Sequence, residues 1–188
     1  MYGMINLAVR KMVVENHGEA AWTRICAGAK LTDDDFSSLQ KYPDQMTYDL
    51  VAAASRELGV DADAILETFG EYWTSYAQET SFANLLRFGG RSMAEFVRNL
   101  DQMHAKIKFS LPDLQPPMFR VTEEDESGFR LHYHSDRPGL APLVRGMLKG
   151  VARMYGTEID IRLDKPRAGA RDYDEFVVRY LRRAAAAE

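Results

Sequence analysis

His104 and the stretch Tyr133-His134-Ser135-Asp136-Arg137 are the residues of this 188-residue chain whose types and spacing could do chemistry. On an extended strand, residues two apart point to one face. Tyr133, Ser135 and Arg137 then form a row that offers a phenol, an alcohol and a guanidinium to a single partner. Three donors without an acceptor-only group suit an anion with several oxygens, such as paired carboxylates. His104 adds one imidazole, which a ligand with a metal centre would need. Each signal has a plain alternative. A histidine on an apolar helical face more often fills a core than binds metal, and an isolated Tyr-x-Ser-x-Arg match is more often chance. His132 and His134 flank Tyr133 and point to the opposite sheet face, where simple exposure is expected.

The elements that must position these residues change character half-way along the chain. Met4, Ile5, Ala8, Val9, Met12 and Val13 recur at helical spacing and stop near Asn16-His17-Gly18, a C-terminal cap. Helical stretches follow over residues 20–27 and 33–39, then 48–58 ending at Gly59, then 62–76 after Asp61 as N-cap. Ser92-Met93-Ala94-Glu95 reads as a capping box. The helix it opens carries Phe96, Val97, Leu100, Met103, His104 and Ile107 on one face, so His104 lies within an apolar stripe. Leu111-Pro112 to Pro116-Pro117 cannot stay helical and must cross over as a stiff connection.

Beyond that crossover the period becomes that of strands. Residues 118–122 and 129–135 read as a hairpin joined by an acidic turn over 123–128. Pro138-Gly139 opens a helix with Leu140, Leu143, Val144, Met147, Leu148, Val151 and Tyr155 on its apolar face. Ile159, Ile161 and Leu163 alternate with charge, residues 164–171 form a polar loop, and 172–181 a closing strand. Residues 182–188 read as a frayed tail. The expected fold is α+β: a helical N-terminal lobe packed on an antiparallel sheet of about four strands, with one long helix inserted.

Bulk properties narrow the function classes. The 24 basic and 28 acidic residues are mixed throughout, giving a net charge of −4, so neither a nucleic-acid stripe nor a polybasic membrane patch stands out. No signal peptide or membrane span is visible, which makes a cytoplasmic protein the default. Cys26 is the single cysteine and can form neither an internal disulfide nor a multi-cysteine zinc site. One imidazole without further ligands is too few for zinc, which takes three or four. It suits haem, whose porphyrin supplies four nitrogens and needs only an axial ligand.

Motifs along residues 1–181 occur in a telling order. They are Met1-x-Gly3, Phe69-Gly70, Gln78-Glu79, Asn99-Leu100-Asp101-x-x-His104, Pro116-Pro117, Tyr133-x-Ser135-x-Arg137, Pro138-Gly139-Leu140 and Gly156-Thr157-Glu158-Ile159. In that order they resemble the haem-nitric oxide/oxygen binding (H-NOX) family, the sensor fold of soluble guanylate cyclase. The resemblance implies one domain over residues 1–188, divided into a helical N-terminal lobe (1–62) and a haem-bearing lobe (63–188), with haem b buried between them. It makes His104 the axial iron ligand and gives Tyr133, Ser135 and Arg137 to the haem propionates. Pro117 matches the proline that presses the porphyrin out of plane. Ile5 would line the distal side, Trp73 would lie against the porphyrin, and Ala77 beside it would leave room. Some bacterial relatives carry a cysteine-rich zinc site, which this chain cannot build.

The same resemblance bears on the gas. Oxygen-binding members place a tyrosine on the distal helix, and aligning Gly146 puts Leu143 at that position, between Pro142 and Val144, none of which has a side-chain donor. Pocket polarity is a lever on ligand choice, because bound O₂ carries partial negative charge that a donor stabilises. An apolar pocket leaves NO and CO binding intact, so the expectation is an NO sensor. Tyr72 and Tyr76 lie on another helix, and their direction is open at this point. A sensor of this kind would not be an enzyme, and its output would pass to a separate sensor histidine kinase or cyclic-di-GMP enzyme. The competing readings are an O₂-binding sensor, a peroxidase-like haem enzyme, and a haem-free adaptor.

Overall fold

A computed structural model describes residues 1–32, 36–80, 83–87, 89–169 and 171–182. Seven helices and four strands are seen among them: α1 (Gly3–His17), α2 (Glu19–Ala29), α3 (Asp44–Leu58), α4 (Ala62–Gln78), α5 (Ala83–Arg87), α6 (Met93–Lys108), β1 (Met118–Asp125), β2 (Gly128–His134), α7 (Ala141–Met154), β3 (Glu158–Lys165) and β4 (Tyr173–Arg182). The strands form one antiparallel sheet in the order β1-β2-β4-β3. The α+β expectation holds, with α7 inserted between the second and third strands.

Local chemistry explains most boundaries. The Asp61 carboxylate accepts from the Asp63 N–H at 2.9 Å and starts α4. At α6, Ser92 Oγ accepts from the Glu95 N–H at 3.2 Å, while the Glu95 carboxylate accepts from the Arg91 N–H at 2.8 Å, so two donors near the helix start are satisfied. Pro43 admits α3 one turn earlier than residue 48, because proline suits a helix start where no N–H partner is needed.

Several expectations are corrected. For the helix expected over 33–39, residues 33–35 lie outside the described residues, and 36–40 are irregular, with a turn at 38–39 and a bend at 40. The carbonyls of Ser38 and Gln40 there accept the first N–H groups of α1, from Met4 at 3.1 Å and Gly3 at 2.8 Å. β1 runs three residues past 122, with a bulge at Glu123 (φ 48°), and the turn shrinks to Glu126-Ser127. The Asp125 carboxylate holds that turn by accepting from both the N–H (2.7 Å) and the hydroxyl (2.6 Å) of Ser127. β2 ends at His134, so Ser135 leaves the ladder. Pro138–Leu140 precede α7 rather than belonging to it. Arg182 still pairs with Glu158 in the sheet; residues 183–188 lie outside the described residues.

The core has two continuous parts. Val9, Val13, Trp22, Ile25 and Leu50 join α1, α2 and α3. Phe119, Phe129, Leu131, Tyr133, Phe176 and Val178 form the inner sheet face, which α6 and α7 cover. At roughly 25 cal/mol per Å² of apolar surface, burying these rings and branched chains is the main term holding the sheet to its helices.

Candidate functional site

Between the helices and the inner sheet face lies a cavity of about 280 Å³. All nine residues singled out from the sequence line it: His104, Tyr133, Ser135, Arg137, Pro117, Ile5, Trp73, Ala77 and Leu143. Its walls come from α1, α4, α6, α7, the 111–117 crossover and the end of β2.

His104 stands on α6 with its Nδ1 buried and without a hydrogen-bond partner among the described residues. Burial depresses its pKa against the opposing pull of the Asp101 carboxylate. The ring is thereby kept neutral, the state in which imidazole can ligate a metal. Asp101 itself accepts a hydrogen bond from the Phe119 N–H at 3.2 Å, tying α6 to β1. The side chain of Asn99 donates to the Gly89 carbonyl at 2.8 Å. These two contacts explain why Asn99 and Asp101 accompany His104. Phe119 carries an aromatic path across the cavity floor, its ring centroid 6.3 Å from His104 and 5.5 Å from Tyr133.

The polar end is assembled from distant parts of the chain. Tyr133 is buried on the inner face, and that burial raises its phenol pKa against a Ser135 hydrogen bond and the Arg137 charge. Ser135 Oγ accepts from the Arg137 N–H at 3.1 Å. Arg137 donates from Nε to the Asp44 carboxylate at 2.8 Å and from Nη1 to the Gln115 carbonyl at 2.8 Å. Asp44 also pairs with the Met1 amine. Burial pushes the Asp44 carboxyl up, but these two cations outweigh it and hold the pKa below the ordinary carboxylate value. Tyr48 donates to the Pro138 carbonyl at 2.9 Å, adding a second contact from α3. The single-row picture therefore changes: Tyr133 belongs to the strand, while Ser135 and Arg137 reach the same cavity from an irregular segment.

The opposite wall is α4 against α7, side by side and running the same way. A Cβ on Gly146 would fall 1.9 Å from the Glu67 carbonyl oxygen, and one on Gly70 2.2 Å from that of Leu143. Glycine is what lets the backbones touch. Outside, Glu67 pairs with Arg145 and Lys149, and Glu71 pairs with Arg153. Tyr72 and Tyr76 lie off the cavity. The Tyr72 hydroxyl donates to the Glu15 carboxylate at 2.8 Å, and Tyr76 receives the Lys11 ammonium over its ring. Thr74 does line the cavity, yet its hydroxyl donates to the Glu71 carbonyl at 2.8 Å.

A buried imidazole with an unpartnered nitrogen, a largely apolar chamber and donors gathered at one rim fit an iron porphyrin with two carboxylates, and comparison with known proteins decides the family. The sequence profile described as haem-NO-binding matches residues 2–163. The chain belongs to the haem-NO-binding family. Soluble guanylate cyclase gcy-31 of Caenorhabditis elegans is 29% identical over 164 residues, covering 87% of this chain and 23% of that protein. Guanylate cyclase soluble subunit beta-2 of Rattus norvegicus is 33% identical over 122 residues, 62% of this chain and 18% of that protein. The chain thus spans about a quarter or less of these curated relatives. Among solved structures, an H-NOX protein from S. oneidensis in the Fe(II) state superposes with a TM-score of 0.88 at 17% identity, covering 100% of both chains. Unliganded Fe(II) H-NOX from K. algicida gives 0.82 at 19% identity, covering 98% of this chain and 99% of the other. At such identities the structures establish the shared fold.

Within this haem-NO-binding domain, the sequence missed Asp44, Tyr48, Phe119 and Thr74. Asp44 lies 93 positions from its partner Arg137, and nothing local marks it. His132 and His134 are half-buried rather than simply exposed. The Tyr173 ring covers both, at 4.5 and 4.9 Å between centroids. Among the described residues, no helix is long and apolar enough to cross a membrane.

Proposed function

We propose that this domain is a haem b-based sensor selective for nitric oxide over O₂, passing its signal to a separate protein and doing no catalysis itself. The observation that carries the selectivity is the helical wall. Leu143 lines the cavity, Tyr72 and Tyr76 turn away from it, and the Thr74 hydroxyl is already committed to the Glu71 carbonyl. A wall without a free hydroxyl supplies little to stabilise the partial negative charge of bound O₂. NO and CO need no such donor.

Haem, when bound, would supply an iron that takes a diatomic gas. His104 would hold the iron, with its lone pair kept available by burial. Tyr133, Ser135 and Arg137 would hold the propionates. Pro117 would press on the porphyrin, and Ile5, Trp73, Ala77 and Leu143, which line the cavity, would surround its apolar part. Were His104 released from the iron, movement of α6 would pass through the Asp101–Phe119 bond into β1. The helical lobe (residues 1–62) and the remainder (63–188) would then shift about the Asp44–Arg137 and Tyr48–Pro138 contacts. A partner of the histidine kinase or cyclic-di-GMP type reads that shift only if it binds the two states with different affinity.

The test is absorbance spectroscopy of the purified ferrous protein under NO, CO and air. The expected result is a Soret band that moves with NO and with CO and leaves no persistent oxygenated spectrum in air. A stable oxygenated spectrum would replace the NO reading with the O₂ one, and the lack of any Soret band would leave the haem-free adaptor.

A further inference from the structure

We infer that Arg167 is a positioning residue for the propionate-binding row, acting from the β3–β4 loop through the carbonyl of Ser135; this rests on the haem reading above. β2 ends at His134, so no ladder partner sets the course of Ser135 to Arg137. That segment nevertheless has to aim two of the three donors. Arg167 Nη2 donates to the Ser135 carbonyl at 2.5 Å, replacing the missing strand contact.

The loop that delivers this guanidinium is itself tied down. The Arg167 N–H donates to the Asp174 carboxylate at 2.7 Å. Asp174 stands on β4 directly opposite Tyr133 in the sheet register. A closed circuit results, from Tyr133 across to Asp174, back to Arg167 and on to Ser135. Pro166 precedes Arg167 and Pro138 follows Arg137, so backbone freedom is restricted on both sides of the contact. With its carbonyl held by Arg167 and its hydroxyl accepting from the Arg137 N–H, Ser135 is fixed through both backbone and side chain. Losing the guanidinium frees the Ser135 peptide to turn, and Ser135 and the base of Arg137 turn with it. Arg167 also lies near enough to Tyr133 and Tyr48 for its charge to oppose the burial that raises both phenols.

The experiment compares wild type, Arg167→Gln, Arg167→Lys and Asp174→Asn as haem-loaded proteins. Haem transfer to an apomyoglobin acceptor gives the loss rate, and resonance Raman spectra read the propionate bending bands and the iron–histidine stretch. Arg167→Gln is expected to lose haem about three- to tenfold faster, in line with one charge-assisted bond acting indirectly. Its propionate bands should shift while the iron–histidine stretch stays put. Arg167→Lys should recover most of the rate, and Asp174→Asn should reproduce a smaller version of the defect with the guanidinium intact. Unchanged loss rates and bands in both Arg167→Gln and Asp174→Asn would overturn the inference, as would a lowered melting temperature with unmoved bands. A wild-type protein that takes up no haem would instead sink the reading on which it rests.

Discussion

The two ends of the cavity are built on opposite principles. The α4–α7 wall is made by neighbours along two helices, with Gly70 and Gly146 allowing backbone contact and an outer row of ion pairs from Glu67 and Glu71. The polar end is made by an irregular segment whose partners come from α3, the 111–117 crossover and the β3–β4 loop. Apolar lining needs only the right face at the right period, and packing does the rest. Directed donors need each backbone and side chain held at a particular angle, which takes hydrogen bonds from several elements at once. The wall should therefore fail through stability, and the polar end through cofactor retention.

The largest effect expected is from His104→Gly, which belongs to neither end and removes the proposed iron ligand. Haem should be retained only with added imidazole; a normal five-coordinate histidine-type ferrous spectrum without it would discard the assignment. Next comes Gly146→Ala. Alanine favours helix by about 1 kcal/mol over glycine, but a methyl 1.9 Å from a backbone oxygen must force the helices apart. Net destabilisation of about 2–3 kcal/mol is expected from overpacking, seen as a fall of roughly 4–12 °C in melting temperature for a domain of this size. An unchanged melting temperature would show that the wall is looser than its geometry.

At the polar end, Arg137→Ala should speed haem loss more than Ser135→Ala, with Tyr133→Phe in between or close to the serine variant. Charge-assisted bonds contribute about 1.5–3 kcal/mol against about 1 for a neutral one. Equal rates for all three would remove the propionate role. Asp44→Asn sharpens the contrast, because it loosens Arg137 without deleting it.

Acid should act on His104 with a definite sign. Its folded pKa lies below the ordinary 6.5, so the folded state binds fewer protons than the unfolded one. The stability due to this group is present above pH 6.5 and is lost as pH falls through the depressed folded value. Haem retention should fall in the same window, since a proton competes for the ligating nitrogen. His104→Gly in the presence of imidazole should shift that profile. The smallest effect expected is from Tyr72→Phe, which should leave gas selectivity unchanged because its hydroxyl serves Glu15. If an oxygenated spectrum persists, Trp73→Phe is the variant to test, since the Trp73 side chain lines the cavity and its indole carries an N–H.

Much of this site was legible in the chain because its signals are local. His104 lies on a capped helix and sits in an apolar stripe, so its direction toward the core could be read from period alone. Tyr133 behaved likewise on a strand. Ser135 and Arg137 line the cavity, but not by strand alternation: the strand stops before them, and hydrogen bonds bring them there. The expected helix over 33–39 failed where it could be seen, because that loop gives its carbonyls to the start of α1.

By itself, then, the sequence determined the α+β class, the two periodicities and the inward faces carrying His104 and Tyr133, since these follow from spacing along one element, while the other singled-out lining residues came from the family resemblance. Only the tertiary structure decided that Tyr72 and Tyr76 turn outward, that Asp44 grips Arg137, and that Arg167 reaches Ser135. The direction of a side chain on a helix with two packed faces depends on which neighbour offers the better partner. A bond between residues 93 or 32 positions apart exists only once the intervening chain has folded and its closure entropy has been met.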